Sequence, residues 1–283
     1  MIINIFDNNF GEGNCSVAYQ VSKHVSYVRR KMEHDGITLF VDGWLEEGST
    51  VDAVQCQHKI GWLREPYCLH PTTYEHAWQN RWRFETILTY YEPFLHFGHP
   101  FRLCPYGGVW IPESDWGMQP KSKLCSFLVG SKMGTAGHRI RRGAAEMLNG
   151  TVDLFDSRND SAIYYGPLTK LQTLRDYAFT VVTETCREDN LFTEWTLDAF
   201  SQGTIPILWA CPNIDQFFNT EGILSWETLD ELSTIVSRLS FGLYGSLRKA
   251  AQDNLDRTEQ YAVTEDWLWH NILGEYDDSS LST

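Results

Sequence analysis

The sequence predicts an α/β protein of two domains built on parallel strands. Short apolar segments rich in β-branched residues alternate along the chain with polar loops and helical segments. One stretch, residues 177–209, contains a complete strand–loop–helix–strand unit. A segment near 115–122, rich in Pro, Gly, Ser and charged residues, breaks the alternation and predicts a domain boundary. At 283 residues the chain is long enough for two hydrophobic cores.

The central unit is defined by its two strands. Ala178–Val182 and Ile205–Trp209 are apolar runs of the length and composition typical of strands that are covered on both faces. A helix is predicted between them from near Phe192, with Asp189 or Asn190 as its N-cap. This order is that of a βαβ unit, in which ligands bind beyond the carboxyl ends of the strands.

The first domain, residues 1–118, is predicted from five apolar segments. The first of them leads into a Gly-rich loop and a helix over about 16–30, and a second helix is predicted near 74–81. The predicted strands are Ile2–Phe6, Gly36–Asp42, His58–Leu63, Phe84–Tyr90 and Pro100–Ile111.

The second domain, residues 119–274, contains the central unit. Its further predicted strands are Leu124–Gly130, Thr151–Phe155 and Gly222–Trp226. One helix is predicted to end near Leu148. Further helices are predicted over Gly166–Arg175, Thr228–Leu239, Tyr244–Tyr261 and Thr264–Ile272. The acidic, Ser-rich tail 275–283 is expected to be mobile.

Charge limits the classes of partner. The formal net charge is −14 and no stretch resembles a polybasic tail, which argues against broad charge-driven binding to nucleic acid or to an anionic membrane. A local basic site for a nucleoside diphosphate is compatible with this charge. The 11 Trp, 13 Tyr and 15 Phe residues are explained mainly by core packing, although such rings also line sugar sites.

Cysteine and histidine spacing predicts neither a disulfide framework nor a metal site. The seven cysteines are scattered and lack a Cys-x-x-Cys pair, so a reducing compartment is expected. The nine histidines form no His-x-x-x-His pair. The N-terminus has no basic region of signal-peptide type, and no apolar run reaches about 18 residues. We therefore expect a soluble, cytoplasmic protein without a membrane span.

Two acids and a threonine flank the start of the central helix. Glu184 ends the preceding strand, and Thr193 and Glu194 lie at the predicted helix N-terminus. A helix N-terminus has free N–H groups and a partial positive charge that suit a phosphate, and nearby carboxylates suit sugar hydroxyls. Glu194 taken alone is explained by the helix dipole, whereas the three residues together favour a ligand site.

An ordered motif runs through the same stretch. It resembles the donor-binding motif of the α-1,3-fucosyltransferase family, which is roughly YxFxxxxEN…YVTEKxxxAxxxGxxPV. The chain differs at Thr185, where the family has asparagine, and at Trp195, where the family has the lysine that contacts the donor diphosphate. Trp195 would either stack on a base or sugar or pack in the core. The matching residues are Tyr177, Phe179, Val181, Glu184, Phe192, Thr193, Glu194, Ala199, Gly203, Ile205, Pro206 and Ile207.

The resemblance implies the GT-B glycosyltransferase architecture, with two Rossmann-like domains facing a cleft. It also implies an inverting transfer from a nucleotide sugar, with a GDP-sugar favoured and no further cofactor. An arginine early in the helix after the first strand of the second domain would bind the diphosphate, and Arg141 fits best. The predicted donor-binding residues are Lys132, Arg139, Arg141, Glu184, Asn190, Thr193, Glu194 and Trp195.

The resemblance further implies a carboxylate in the first domain that acts as general base. Glu65 directly follows the predicted strand His58–Leu63 and is preferred, with Glu92 as the second choice. Pairing of Glu65 with Arg64, or free exposure to solvent, is the alternative interpretation.

Three functions are therefore compatible with the sequence. The first is transfer of fucose or a related sugar to a hydroxyl of a glycan. The second, in the same enzyme class, is a phage or viral glycosyltransferase that acts on a modified DNA base. The third is a non-catalytic carbohydrate-binding protein of the same fold, which is motivated by Trp195 at the lysine position.

Overall fold

The chain forms two compact units, each with its own parallel sheet. Unit 1 combines Met1–Tyr106 with the C-terminal segment from Val263, and unit 2 is Gly107–Ala262. The computed structural model describes residues 1–8, 10, 15–157 and 166–276. Residues 277–283 of the expected mobile tail lie outside the described residues.

The described part of unit 1 contains six strands in the order β2-β1-β3-β4-β5-β6, and each neighbouring pair is parallel. The strands are β1 (Ile2–Phe6), β2 (Ser26–Arg29), β3 (Ile37–Val41), β4 (His58–Leu63), β5 (Thr86–Thr89) and β6 (Phe101–Leu103). The helices of this unit are α1 (Gly48–Ala53), α2 (Pro71–Asn80), α3 (Glu92–Phe97) and α9 (Thr264–Asn271).

The described part of unit 2 contains five strands in the order β11-β10-β9-β7-β8, again all parallel. The strands are β7 (Lys123–Val129), β8 (Asp153–Asp156), β9 (Tyr177–Thr183), β10 (Ile205–Trp209) and β11 (Leu224–Ser225). The helices are α4 (Ala136–Leu148), α5 (Pro167–Leu174), α6 (Glu194–Ser201), α7 (Leu229–Ser237) and α8 (Phe241–Thr258).

The centre of the unit 2 sheet confirms the predicted βαβ unit. Every residue of β9 and β10 is buried, as expected for strands covered on both faces. Phe179 and Ile207 of these strands join Phe127 of β7 in one hydrophobic core. Burial of these apolar side chains is the main stabilising contribution to the unit, at about 25 cal/mol per Å² of apolar surface removed from water.

The structure places the first domain boundary earlier than the predicted 118/119. The segment after Gly107 belongs to unit 2 because its backbone and side chains are tied to α6 and its surroundings. The amides of Trp110 and Ile111 both donate to the carboxylate of Asp198, at 2.8 and 3.2 Å. Lys121 donates to the Gln202 carbonyl at 2.8 Å. The Pro- and Gly-rich composition near 115–122 therefore marks an irregular segment packed on unit 2.

The second boundary also differs, because the chain after Ala262 belongs to unit 1 and not to the predicted domain 119–274. Leu268 of α9 and Ile272 pack in the hydrophobic core of the first sheet. Glu275, the first residue of the expected mobile tail, lies in a 3₁₀ turn (Leu273–Tyr276) and accepts two hydrogen bonds from Arg102.

The helix predicted over 16–30 is wrong. Residues 15–30 instead contain β2, an edge strand that pairs with β1. The hydroxyl of Ser22 accepts hydrogen bonds from the amides of His24 and Val25, which favours a turn over a helix. Tyr27 and Val28, which follow this turn, have high strand propensity and lie in β2.

The start of α6 also differs from the prediction. The helix begins at Glu194 and its N-cap is Thr193, whose hydroxyl accepts a hydrogen bond from the Trp195 amide. Asn190, one of the two predicted caps, has a φ of 63° in the left-handed region and lies in the preceding loop. Within the described residues, no helix is both long and apolar enough to span a membrane.

Gly137, in the first turn of α4, allows this helix to approach the loop after β9. A Cβ atom at this position would overlap the carbonyl oxygen of Glu184, and the Gly137 amide donates to the Thr185 carbonyl at 3.1 Å. We predict that Gly137→Ala lowers the free energy of unfolding by about 3 kcal/mol, because backbone atoms must move apart.

Gly143→Ala in the same helix is the matched control. Its added Cβ would meet only a side-chain methyl of Leu229 at 3.3 Å, and alanine has the higher helix propensity. Urea unfolding of both variants measures the difference. Equal stability of the two variants would contradict the close approach of α4.

Candidate functional site

A buried carboxylate closes the carboxyl end of β9. Glu184 has no exposed surface, and its Oε1 accepts hydrogen bonds from the Thr193 amide at 2.9 Å and the Thr196 hydroxyl at 2.7 Å. Its Oε2 accepts from the Thr193 hydroxyl at 2.7 Å. Burial raises the pKa of Glu184, while the bonds from Thr196 and Thr193 act in the opposite direction. The carboxylate therefore fixes the start of α6 against β9, and any role in ligand binding is indirect.

Two other predicted donor-binding residues also have partners within unit 2. Asn190 is buried and exchanges two hydrogen bonds with the side chain of Asn213. Its backbone amide donates to Asn213 Oδ1 at 2.8 Å, and its Oδ1 accepts from Asn213 Nδ2 at 2.9 Å. Glu194 is half-buried, and its Oε1 lies 3.8 Å from the ammonium group of Lys170. Both residues order the loop and first turn around α6.

Arg141 lies at the predicted edge of the sheet but points inward. It is buried, and its Nε donates to the hydroxyl of Thr183 at 2.6 Å while its Nη2 donates to the Thr183 carbonyl. Its guanidinium carbon lies 4.3 Å from the ring centroid of Trp195. The structure thus brings Arg141, Trp195 and the Glu184–Thr193 pair into one neighbourhood. In this arrangement Trp195 packs against a cation.

The start of α4 is electropositive. Lys132 and Arg139 are exposed there, and the buried Arg141 follows Arg139 by two residues. His138 forms a capping box with Thr135, in which its amide donates to the Thr135 hydroxyl and its Nδ1 accepts from the Thr135 amide. Burial and the positive charges of Arg141, Lys132 and Arg139 lower the pKa of His138 to about 4. Its imidazole is therefore neutral at pH 7.

A buried ion pair beside this cluster was not predicted from the sequence. Lys170 of α5 donates to the carboxylate of Asp198 at 2.5 Å, and both side chains are almost fully buried. The ammonium group also lies over the rings of Trp110 and Trp195, with centroid distances of 4.5 and 5.1 Å. Helical spacing places Lys170 on the same buried face of α5 as Leu174, which is the sequence signal for an internal partner.

A cavity of about 460 Å³ opens at the carboxyl ends of β10 and β11. Its walls combine apolar side chains, among them Leu208, Ile214 and Trp226, with the charged residues Arg187, Glu227 and Glu231. Arg187 pairs with Glu227, while Glu231 accepts a hydrogen bond from the Glu227 amide at 2.7 Å. Its volume and mixed lining are those of a small-molecule site. This cavity was not predicted from the sequence, because β11 is only two residues long.

Glu65 lines a second cavity, which lies within unit 1. The cavity has a volume of about 450 Å³ and is situated where β1, β3 and β4 end. The Glu65 side chain is half-buried, and its carboxylate accepts no hydrogen bond from the described residues. Arg64, its predicted alternative partner, stacks its guanidinium on Tyr106 at 4.2 Å instead. Arg64 acts on Glu65 through its charge, and a carboxylate at a cavity wall that accepts no hydrogen bond from the described residues has lone pairs to accept a proton.

Asp42 is a further acid at this cavity that the sequence analysis missed. It follows β3 with a φ of 48°, and its Oδ1 accepts hydrogen bonds from the amides of Arg64 at 2.7 Å and Glu65 at 3.0 Å. Burial raises the pKa of Asp42 to about 6, to which the charge of Glu65 adds, while the amide bonds act in the opposite direction. Asp42 thereby fixes the backbone that carries Glu65.

Glu92, the second candidate base, lies elsewhere in unit 1. It is the first residue of α3, its side chain is exposed, and it is not among the described residues that line the 450 Å³ cavity. The geometry therefore favours Glu65 over Glu92.

Comparison with solved structures identifies the fold. A crystal structure of an α1,3-fucosyltransferase matches 98% of this chain and 90% of its own, with a TM-score of 0.58 and 14% identity. An α-glucosyltransferase in complex with UDP matches 97% of this chain and 100% of its own, with a TM-score of 0.57 and 10% identity. The same kind of enzyme with UDP-glucose and DNA containing an abasic site matches 97% and 99%, at a TM-score of 0.53 and 11% identity.

These similarities confirm the GT-B fold and, at the level of fold, the resemblance to α1,3-fucosyltransferases. No protein-family model and no curated protein matches the chain. At 10–14% identity the likeness shows the arrangement of strands and helices, so activity has to be argued from the site itself.

Asp42 predicts a specific dependence of stability on pH. Its pKa in the folded state lies above the ordinary value of 3.8, so the folded state binds the proton more tightly than the unfolded chain. The resulting destabilisation is absent below pH 3.8, develops between there and about 6, and is complete above that range. Asp42→Asn keeps an oxygen for both amides and removes this cost, which is on the order of 3 kcal/mol.

Urea unfolding from pH 3.5 to 7.5 checks this prediction. The stability difference between Asp42→Asn and the unmodified protein should grow in favour of the variant between about pH 4 and 6. Asp35→Asn, at an exposed position of the same unit, is the control and should track the unmodified protein. Parallel profiles for all three proteins would rule out a raised pKa at Asp42.

Proposed function

We propose that this chain is a glycosyltransferase that moves a sugar, fucose or a related one, from a nucleoside-diphosphate sugar to a hydroxyl of a glycan. The observation that carries the proposal is the cluster of Lys132, Arg139 and Arg141 at the start of α4, at the carboxyl edge of the unit 2 sheet. In α/β folds, this edge is where phosphates meet helix N-termini. Glycosyltransferases of the same fold have been solved with GDP and with UDP.

The exposed cations are the direct candidates for binding the diphosphate. Lys132 and Arg139 are solvent-accessible, and Arg139 offers a planar guanidinium that matches two phosphate oxygens. Arg141 would act through its charge and by holding Thr183, because its guanidinium is engaged there. This division of roles replaces the expectation that Arg141 makes the main phosphate contact.

The 460 Å³ cavity beside β10 and β11 is the proposed site for the nucleobase. Its apolar side chains suit a flat ring, and Glu227 and Glu231 keep lone pairs for N–H groups beside their bonds to Arg187 and to the Glu227 amide. Guanine presents an N1–H and an amino group on one edge, whereas uracil presents a single N–H between two carbonyl oxygens. Two carboxylates at the rim therefore favour a GDP-sugar over a UDP-sugar.

The proposed chemistry is an inverting displacement. Glu65 accepts the proton of the acceptor hydroxyl as its oxygen bonds to the anomeric carbon, and the bond from that carbon to the diphosphate breaks. The nucleoside diphosphate leaves with the bonding electrons, and the cations at the start of α4 stabilise its charge. Asp42 positions the base through the Glu65 amide.

A second candidate is glycosylation of a modified DNA base. It is favoured by the match to an α-glucosyltransferase of nearly the same length, which has been solved with DNA. The net charge of −14 opposes a polyanionic acceptor. A mass increase of hydroxymethylated DNA after incubation with the preferred donor would establish this candidate, and an unchanged mass would remove it.

The third possibility is a non-catalytic binding protein, which differs from the enzymes in that it does not release the nucleoside diphosphate from its donor. Purified enzyme with its donor should release the nucleoside diphosphate, by hydrolysis or by transfer. A protein that binds a nucleotide sugar but never releases the nucleotide would be a binding protein of this fold.

Donor binding is testable by thermal shift with GDP-, UDP-, CMP- and dTDP-sugars. We expect a GDP-sugar to raise the melting temperature most, because a ligand that binds only the native state stabilises it. Arg139→Ala should weaken the binding of that donor by about tenfold, as expected for loss of a charge-assisted hydrogen bond.

Arg248→Ala is the control, since Arg248 is an exposed arginine on α8 and lies outside the proposed site. Arg141→Ala is less informative, because it also removes the buried bonds to Thr183. If no nucleotide sugar shifts the melting temperature, or if Arg139→Ala and Arg248→Ala bind the donor equally well, the assignment of the diphosphate site is wrong.

A further inference from the structure

The cavity in unit 1 is walled by carboxylates from three consecutive parts of the sheet edge. Asp42 follows β3, Glu46 lies in the segment just after it, and Glu65 follows β4. The remaining polar lining comes from Asn8, His70 and Thr73. At about 450 Å³ the cavity has room for one or two sugar rings.

Cations are directed away from this cavity or lie at its margin. Neither Lys nor Arg is among the described residues that line it. Arg64, although adjacent to Glu65 in sequence, stacks on Tyr106 and donates to the Ser16 carbonyl. Arg30 reaches the margin, where its guanidinium donates to the side chain of Asn8 and the Asp7 carbonyl. Among the described residues, the charged groups that line the cavity are therefore carboxylates, and Arg64 acts on Asp42 and Glu65 from outside the lining.

The carboxylates differ in the contacts that their oxygens already make within the protein. The Oε1 of Glu46 accepts from the Thr73 hydroxyl at 2.7 Å, and its Oε2 lies 3.3 Å from His76 Nδ1. Glu65 accepts no hydrogen bond from the described residues. Each carboxylate oxygen has two lone pairs, so Glu46 and Glu65 retain acceptor sites. Sugar hydroxyls are donors that match them.

We infer that this cavity binds an uncharged polyhydroxylated acceptor, a neutral sugar, and that Glu46 excludes polyanions such as DNA by charge. The inference rests on the proposed function, because it treats Glu65 as the base and this cavity as the acceptor site. Like charges repel, and the repulsion is stronger in a cavity that excludes water than in bulk solvent. A phosphate or sulfate in the cavity would meet three carboxylates. Glu46 is then a specificity-determining residue.

An array that presents neutral glycans, their sulfated forms and hydroxymethylated duplex DNA tests the inference without a donor. We expect the unmodified protein to bind neutral glycans only. Glu46→Gln keeps the shape and one acceptor oxygen but removes the charge. It should bind the sulfated form of the best neutral glycan about tenfold more tightly than the unmodified protein does, and the neutral form within about threefold.

Glu47→Gln is the matched control, because it makes the same change in net charge at an exposed neighbour that is not among the cavity-lining residues. It should leave the preference for neutral glycans unchanged. Melting temperatures of both variants verify that they are folded.

The inference is overturned by binding of DNA or sulfated glycans that equals or exceeds binding of neutral ones, or by the absence of binding to every neutral glycan. An equal effect of Glu46→Gln and Glu47→Gln would also overturn it. The thermal-shift experiment with donors separates the two proposals. If a nucleotide sugar raises the melting temperature but the array contradicts the inference, only the acceptor assignment is wrong. If no nucleotide sugar raises the melting temperature, the proposed function is wrong.

Discussion

The buried carboxylate of Glu184 is the constraint on which the candidate donor site depends. It receives three hydrogen bonds from Thr193 and Thr196 and has no contact with solvent, so the start of α6 is fixed to the end of β9. Removing it would leave those donors buried without partners, at a cost of about 1–3 kcal/mol for each. Arg141 of α4 donates a hydrogen bond to Thr183, the residue before Glu184, and so fixes α4 to the same end of β9. Two helices are thus anchored at adjacent residues, Thr183 and Glu184, at the carboxyl end of β9.

This anchoring decides which groups remain for a ligand. The start of α6 is occupied by Glu184 and Thr193, whereas the exposed cations gather at the start of α4. Unit 1 has the opposite character, since its cavity is lined by carboxylates and Asp42 holds the backbone of one of them. Under the proposed function, the cationic site of unit 2 would stabilise a leaving phosphate and the acidic cavity of unit 1 would supply the group that removes a proton.

The sequence predicted those parts of the fold and site that depend on local patterns. Apolar runs such as Ile205–Trp209 define buried strands, and the βαβ order predicted that Glu184 and Thr193 lie together. That they bond each other, and so do not face a ligand directly, was not predicted. Features that depend on distant partners could not be read in this way. Lys170 meets Asp198 across 28 positions, and Asp42 reaches the amides of Arg64 and Glu65. The C-terminal helix belongs to unit 1 because of its packing there, which its own sequence pattern does not specify.

The pKa of His138, followed by NMR with and without a bound nucleoside diphosphate, tests the central claim most directly. The imidazole lies among the cations proposed to hold the diphosphate, and burial together with these charges lowers its pKa to about 4. A bound diphosphate would offset the positive charge, so we expect its pKa to rise on binding, and the His138→Gln variant identifies the resonance. A nucleotide that binds with no change in this pKa would show that the diphosphate lies elsewhere.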